Sequence, residues 1–291
     1  MEHVIKNGSL SVVLSSMGGE LQSVRDHENT EYLWQGDPRY WRNRATNIFP
    51  YIGRLTNEAY TLYGNTYHMA IHGFAKCSEM EAEGQKSDCI TFSLMDNAET
   101  RKIYPYSFLY RIRYSLHKNT LHTAYEVENR DNKTMYFGLG GHPGFNVPIE
   151  SGLNFSDYYL AFHGSSKPIQ VGMTGTCFVS GNDRPFVLTE DQCLLLDHSL
   201  FDNDAIILKE MPSSVSLRSR NGSKSVTVSY PQMKYLGLWH KPHSDAPYLC
   251  IEPWTSLPAR QDMIEDLANQ PDLVSLEAGK TYLNEWDITI G

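Results

Sequence analysis

Alternating apolar and polar residues in the middle of the chain set the strongest limit on the fold. Apolar side chains occupy every second position from Phe108 to Leu116, and a second alternating run follows at Leu121, Thr123, Tyr125 and Val127. This period of two is typical of strands with one buried face. Only residues 117–120 separate the two runs, so the sequence predicts an antiparallel β-hairpin at this point.

Similar signals occur near both ends of the chain. Residues 9–14 and 17–21 predict a strand, a glycine turn and a second strand. Two short apolar runs, 215–217 and 226–228, flank the pair Asn221-Gly222. Because this pair accepts positive φ at both turn positions, it predicts a second hairpin with a tight turn. Residues 281–290 alternate again and predict a closing strand.

Helical periodicity is nearly absent from the chain. Residues 263–268 predict one short helix that ends before Pro271, and residues 34–51 predict a long loop. No linker divides the chain, and no repeat of about 20 to 50 residues indicates a propeller. We therefore expect an all-β protein, a large antiparallel β-sandwich, with residues 1–291 forming a single domain.

Composition and charge exclude several classes of function. The chain has 34 acidic and 25 basic residues, a net charge of −9 and no long run of one sign, which disfavours nucleic acid as a partner. Its five cysteines form no Cys-x-x-Cys pair, so neither a zinc site nor a disulfide framework is indicated. No apolar stretch approaches the roughly 20 residues of a membrane span, and no secretion signal is recognisable. We expect a cytoplasmic protein without a membrane partner; oligomeric state is not encoded in these features.

A histidine between glycines and a proline is the most unusual local feature. Residues 138–146 read GLGGHPGFN, a composition that disfavours a helix or a regular strand and predicts a special turn. Histidine titrates near neutral pH, so His142 on such a turn is suited to proton transfer. A buried structural histidine, satisfied by backbone groups, fits the same residues equally well.

Three further sequence clusters contain side chains that are suited to ligand binding or acid–base catalysis. Arg54 follows an aromatic and glycine-containing segment, and its guanidinium has the donors to bind paired oxygens of a ligand. The alternative is a surface salt bridge, since most arginines are exposed. His72 precedes a glycine and fits a structural histidine as well as a ligand-binding one. Glu252 ends an apolar run before Pro253, where exclusion of water would raise its pKa; a capped carboxylate at a strand end is the alternative.

A metal site requires separate consideration because His240 and His243 lie three residues apart. Zinc needs three or four converging ligands, and His72 and His142 are the other histidines that could contribute. Pro242 between the pair and the absence of a His-Glu-x-x-His helix favour a solvated loop instead. We therefore expect no metal.

Four motifs in order resemble the aldose 1-epimerase (mutarotase) family, in its LacX-like branch. They are Gly53-Arg54, IHGFA at 71–75, GHPGFN at 141–146 and IEPW at 251–254. The resemblance spans nearly the whole chain. It implies the galactose mutarotase-like fold, a large antiparallel sandwich with a cleft across a concave sheet. It also implies an isomerase that interconverts the anomers of a small-molecule aldose sugar without a cofactor.

The resemblance also implies roles for individual residues. His142 matches the family's general acid and Glu252 its general base, while Arg54 and His72 match its sugar-binding arginine and histidine. A binding aspartate is expected between the acid and the base, with Asp204 as the best match and Asp202 as the alternative. From the composition we also expect an aromatic side chain, either Trp239 or Trp254, to stack on the apolar face of the sugar.

Two departures from the galactose mutarotases concern specificity. Phe74 stands where those enzymes have a second glycine after the His-Gly pair, and the sequence around Arg54 is shorter than theirs. The identity of the sugar is therefore not implied. Two other functions remain open on the same sandwich: a non-catalytic carbohydrate-binding protein and a glycoside-active enzyme, which would use two carboxyl groups such as those of Asp204 and Glu252.

Overall fold

A computed structural model describes residues 1–291, and antiparallel strands dominate it. The first strands are β1 (Glu2–Lys6), β2 (Leu10–Ser15), β3 (Leu21–Asp26), β4 (Ala45–Ile48), β5 (Ala59–Leu62), β6 (Asn65–His68), β7 (Glu81–Glu83), β8 (Cys89–Met95), β9 (Phe108–His117) and β10 (Thr120–Asn129). The central strands are β11 (Met135–Phe137), β12 (Gly140–Asn146), β13 (Tyr158–Phe162), β14 (Ile169–Gln170), β15 (Arg184–Pro185), β16 (Cys193–Leu195) and β17 (Ile206–Lys209). The last strands are β18 (Ser214–Ser219), β19 (Ser225–Ser229), β20 (Tyr235–Trp239), β21 (Tyr248–Trp254), β22 (Glu265–Asp266), β23 (Val274–Leu276) and β24 (Thr281–Ile290). One α-helix, α1 (Ala98–Ile103), and four 3₁₀ turns complete the structure, at Thr56–Glu58, Ala75–Cys77, Phe155–Asp157 and His198–Phe201.

Two large sheets form the sandwich that the strand pattern predicts. The nine-stranded sheet has the order β16-β13-β18-β19-β24-β10-β9-β8-β7, and the seven-stranded sheet has the order β15-β14-β17-β20-β21-β12-β4. Smaller sheets are β1-β2-β3, β11-β23 and β22-β5-β6, in which β22 and β5 are parallel. The predicted all-β class with large antiparallel sheets is confirmed.

Asn47 connects the two large sheets through its buried side chain. Its Oδ1 atom on β4 accepts a hydrogen bond of 2.8 Å from the Tyr125 hydroxyl on β10. Its Nδ2 atom donates to the backbone oxygens of Gly18 and Gly19. Both polar atoms of the Asn47 amide are therefore hydrogen-bonded. Because leaving either one unpaired in the interior would be costly, these bonds fix the position of the seven-stranded sheet against the nine-stranded sheet.

The predicted central hairpin and both terminal strand predictions are confirmed. In β9 and β10, His117 pairs with Thr120, which leaves a tight turn at positions 118–119. β24 then pairs along the other edge of β10, and β2 and β3 flank the predicted glycine turn. A continuous apolar core extends from Ile5 to Ile290. That residues 1–291 fold as a single domain stays a prediction.

The tight turn predicted at Asn221-Gly222 is wrong, although the strands on both sides of it form. Strands β18 and β19 pair as expected, but their connection is longer, and neither residue of the pair has positive φ. The carboxylate of Glu150 accepts hydrogen bonds from the backbone N–H groups of Ser223 and Lys224. A distant carboxylate therefore determines the loop, which local turn propensity does not reveal.

The helix predicted over residues 263–268 is also wrong. Glu265 and Asp266 form the short strand β22 beside β5. The buried Glu265 carboxylate accepts bonds from the backbone N–H and the guanidinium of Arg260, at 2.7 to 3.0 Å. This charge-assisted pairing fixes an extended chain where the local pattern alone favours a helix. The helix that does form, α1, has Asn97 as its N-cap, which a search for capping residues would have found.

The turn predicted for residues 138–146 is wrong as well, because most of this segment is strand β12. It lies between β4 and β21, and none of its glycines has positive φ. The glycines serve close packing instead. A Cβ atom on Gly140 would lie 2.5 Å from the Pro253 oxygen, and one on Gly141 would lie 2.7 Å from Trp286 of the opposite sheet. Strand β4 likewise occupies part of the loop predicted over 34–51.

None of the helices in the structure has the length and apolar character needed to cross a membrane.

Candidate active site

His142 and Glu252 lie side by side on adjacent strands of the seven-stranded sheet. β12 pairs with β21 so that Gly140 faces Trp254 and Gly144 faces Cys250. The same register sets His142 opposite Glu252, midway between those pairs. His142 Nε2 lies 3.2 Å from Glu252 Oε2, and both side chains are buried. The strand continues to Trp254, so Glu252 lies within β21 rather than at its end.

Burial shifts the protonation of this pair in opposite directions. It lowers the pKa of His142 to about 3. Burial, together with the nearby Asp204 carboxylate, raises the pKa of Glu252 well above its ordinary value. Burial therefore favours the uncharged form of each group, a neutral imidazole and a protonated carboxyl group. The form with a carboxylate and an imidazolium has the same number of protons, so the pair can supply one acid and one base without exchanging a proton with water.

Two polar atoms of the pair have no hydrogen-bond partner within the protein. They are Glu252 Oε2 and His142 Nδ1, and both are shielded from solvent. The 3.2 Å approach of Oε2 to the imidazole is close, but it is not aligned as a hydrogen bond. Buried polar atoms are nearly always paired, so each unpaired atom needs an explanation, and a role in catalysis is one explanation. The structural alternative for His142, with its ring satisfied by backbone groups, does not agree with this geometry.

Aromatic rings hold the imidazole of His142 from three sides. Trp41 stacks on it, with ring centroids 4.7 Å apart and an interplanar angle of 22°. Trp239 and His72 meet it edge-on, at 5.9 Å and 5.5 Å. These contacts restrict the ring to one plane, which is a requirement for directed proton transfer. Trp41 lies in the predicted loop of residues 34–51, and the sequence does not indicate that it belongs to a site.

His72 presents a neutral imidazole to the same space. The Gly53 N–H donates to His72 Nδ1 at 3.2 Å, so Nε2 carries the hydrogen of the neutral ring. Burial is the largest cause that lowers the pKa of His72 well below its usual value, and the nearby Lys76 and Arg54 act in the same direction. His72 is therefore a hydrogen-bond donor through Nε2 at neutral pH.

Arg54 and Lys76 bring two positive charges to the site. The Arg54 side chain is exposed and forms no ion pair, so the surface salt bridge considered for it is absent. Burial lowers the pKa of Lys76, which also has no carboxylate partner. Lys76 lies one residue beyond the 71–75 motif, and the sequence did not identify it as a site residue. Both cations remain available to ligand oxygens.

Asp204 faces the site with both carboxylate oxygens occupied. The Trp239 indole N–H donates to Oδ1 at 2.6 Å, and the Cys177 thiol donates to Oδ2 at 2.5 Å. Asp202, the alternative in the sequence, approaches His243 at 3.2 Å instead. Of the two aspartates, only Asp204 lines the same cavity as His142 and Glu252. The sequence does not indicate a role for Cys177, because that role depends on its contact with Asp204, which is 27 residues away in the chain.

All six residues predicted for the site line one cavity of about 330 Å³. They are His142, Glu252, Arg54, His72, Asp204 and Trp239. The wall also includes Trp41, Asn43, Thr46, Lys76, Cys177, Asn203 and Trp254. This volume, with one apolar wall and converging polar groups, is typical of a site for a small polar molecule.

His240 and His243 do not line this cavity. The solvated loop predicted for them is wrong for His240, which is fully buried, with Nε2 at 3.1 Å from His198 Nδ1. Burial lowers the pKa of His240 to about 4. His243 is exposed, as predicted.

Comparisons with known proteins agree with the fold and the motifs. A sequence model for a family described as aldose 1-epimerase matches residues 1–289. The chromosomal protein LacX of Lactococcus lactis subsp. lactis is 34% identical over 294 residues, covering 98% of each chain.

Solved structures give the same result at the level of the fold. A galactose mutarotase related enzyme from Lactobacillus acidophilus has a TM-score of 0.95 and 35% identity, covering 100% of this chain and 97% of that one. A galactose mutarotase-like protein from Lactobacillus casei also has a TM-score of 0.95, with 30% identity and 100% coverage of both chains. The galactose mutarotase-like fold expected from the sequence is therefore confirmed.

Proposed function

Because this chain belongs to the aldose 1-epimerase family, we propose that it is a mutarotase that interconverts the α and β anomers of an aldose. The observation that carries the proposal is the buried pair of His142 and Glu252, 3.2 Å apart at one wall of a sugar-sized cavity. Ring opening needs a base at one oxygen and an acid at another, and this pair places a carboxyl group and an imidazole side by side.

In the proposed reaction Glu252, as the carboxylate, removes the proton from the anomeric hydroxyl. His142, as the imidazolium, gives a proton to the ring oxygen, and the bond between that oxygen and C1 breaks to leave an open-chain aldehyde. Rotation about the C1–C2 bond presents the other face of the aldehyde, and the two proton transfers reverse as the ring closes. Each transfer partner supplies about 10²–10⁴-fold of the acceleration. No electrons are gained or lost, and the step needs no cofactor.

The remaining wall of the cavity would hold the sugar during this rotation. Asp204, oriented through both oxygens, is positioned to accept bonds from sugar hydroxyls, and His72 Nε2 and Arg54 to donate them. Trp239 offers an apolar surface beside the acid. Since the two anomers differ little in free energy, the site gains rate only by favouring the state between them.

Asp204 also bears on the glycoside-active alternative. A hydrolase needs two carboxyl groups free to act on either side of one bond. Both oxygens of Asp204 already accept hydrogen bonds, from Trp239 and Cys177, whereas His142 is poised beside Glu252. The arrangement therefore favours a histidine and carboxyl pair over two carboxyl groups. We further propose that the protein acts in the cytoplasm, a location that five free cysteines support.

The test is polarimetry of freshly dissolved α-anomers of several aldoses, with and without the protein. We expect the approach to the equilibrium rotation to accelerate in proportion to protein concentration for at least one sugar. Binding of the sugars with unchanged mutarotation across the set would instead indicate a carbohydrate-binding protein. Release of monosaccharide from disaccharides by the protein would indicate the glycoside-active alternative.

A further inference from the structure

A buried cysteine lies next to the proposed acid and base. Cys250 and Glu252 are two residues apart on β21, so their side chains point to the same face of the sheet. Cys250 is opposite Gly144 in the pairing of β21 with β12, on the strand that carries His142. The Cys250 Sγ atom, a nitrogen of His142 and a carboxylate oxygen of Glu252 all lie within 4.8 Å of one another.

These three donors have the composition of a metal site. All three side chains are buried, and Glu252 Oε2 and His142 Nδ1 have no hydrogen-bond partner in the protein. A thiolate and a carboxylate carry two negative charges, and the imidazole is neutral. A divalent cation bound by them would form a group with no net charge, which is far less costly to bury than an unpaired ion.

We propose that Cys250, His142 and Glu252 form a site for a thiophilic divalent cation, of which Zn²⁺ is the representative. Zinc bonds of about 2.0 Å to nitrogen and oxygen and about 2.3 Å to sulfur place tetrahedral ligands roughly 3.3–3.8 Å apart. The present separations need to contract by only about 1 Å to reach that geometry. A water molecule would complete the tetrahedral coordination.

The sulfur ligand selects the kind of metal. A thiolate is a soft ligand that favours cations which bond strongly to sulfur, such as Zn²⁺. Mg²⁺ and Ca²⁺ are excluded because both prefer oxygen ligands.

The bound metal would be an inhibitor, an inference that rests on the proposed mutarotase function. It occupies the lone pairs of His142 and Glu252 that the reaction uses to move protons. Metal and sugar would therefore compete for the same site. Cys250 does not line the cavity and has no role in the proposed sugar reaction, so removing its thiol separates the metal site from catalysis.

The first test is direct binding of Co²⁺, a spectroscopic substitute for Zn²⁺, to the whole protein. We expect near-ultraviolet thiolate-to-cobalt absorption and visible bands of tetrahedral cobalt, both abolished by added Zn²⁺. Cys250→Ala and the similarly sized Cys250→Ser should both lose the thiolate band, whereas Cys77→Ser, at an exposed cysteine, should keep it. A band that persists in the folded Cys250 variants, or no band in the wild type, would overturn the proposal.

The second test is inhibition of mutarotation by Zn²⁺ alone, reversed by a chelator. The Cys250 variants should retain the metal-free rate of the wild type but need at least about tenfold more Zn²⁺ for half-inhibition. Equal sensitivity of wild type and both variants would contradict the site. Should the protein prove inactive on sugars, the mutarotase proposal fails while the cobalt spectra still decide whether the metal site exists.

Discussion

Replacing Gly141 with alanine tests whether close packing of the two sheets sets the geometry of the acid. The added Cβ atom would lie 2.7 Å from Cζ2 and 3.1 Å from Cη2 of Trp286. Carbon atoms in ordinary contact are about 3.5–4.0 Å apart, so the sheets must separate locally by close to 1 Å. Trp286 is 2% exposed and packed in the core, which leaves little room for it to move away.

The expected result has two parts. Overpacking of this kind typically costs about 1–3 kcal/mol, which lowers the midpoint of thermal unfolding by several degrees. The strand shift also displaces His142, the next residue, and a misplacement of about 1 Å costs on the order of 10²-fold in rate. We therefore expect Gly141→Ala to reduce kcat/KM by about ten- to a hundredfold.

Thermal unfolding and polarimetry on the same samples provide the assay. Gly8→Ala is the matched control, since nothing lies within 4 Å of a Cβ atom there and its φ is ordinary. Trp286→Phe removes the two carbons in question and should restore part of the activity when combined with Gly141→Ala. If Gly141→Ala matches the Gly8→Ala control in both stability and rate, the reasoning from sheet packing is refuted.

Three further predictions follow from the site and its surroundings. Glu252→Gln and His142→Asn should each lower kcat by at least about a hundredfold in mutarotation assays, since each removes one proton-transfer group; near wild-type rates in either would contradict the assigned roles. Cys177→Ala should raise KM by about three- to tenfold by freeing one oxygen of Asp204, while Cys177→Ser should largely restore it; equal KM values in both variants would exclude this orienting contact. Because burial lowers the pKa of His240 to about 4, the folded state binds fewer protons than the unfolded state below pH 6.5, so stability should fall as pH decreases from about 6.5 to 4. Urea unfolding at several pH values should show a shallower decline for His240→Asn, and an unchanged slope would refute this assignment.

The sequence predicts those parts of the fold that local alternation determines. Strands β9, β10 and β24 each show one apolar and one polar face, so their existence can be inferred without knowing their neighbours. Residues 138–146 could not be predicted in this way. Glycine at 141 is required by the approach of Trp286, which is 145 positions away in the chain, and glycine-rich composition alone suggests a turn.

The candidate site also contains residues that the sequence predicts and residues that it does not. The family motifs predict roles for His142 and Glu252 because each has distinctive neighbours in a fixed order. Trp41 and Cys177 act through contacts with other side chains, one stacked on His142 and the other bonded to Asp204. An isolated tryptophan or cysteine in a loop gives no sign of such a contact, so only the three-dimensional arrangement identifies them.

Exchange of anomers at equilibrium is the most direct measure of the central claim, that the His142 and Glu252 pair opens and closes a sugar ring. Two-dimensional exchange NMR reports the rate between α and β anomeric protons for a sugar that binds the protein, free of any coupled reaction. The account predicts exchange cross-peaks that grow with wild-type protein and return to the protein-free level with Glu252→Gln. Saturable binding of the sugar with no gain in exchange rate, or equal rates in the two proteins, would contradict it.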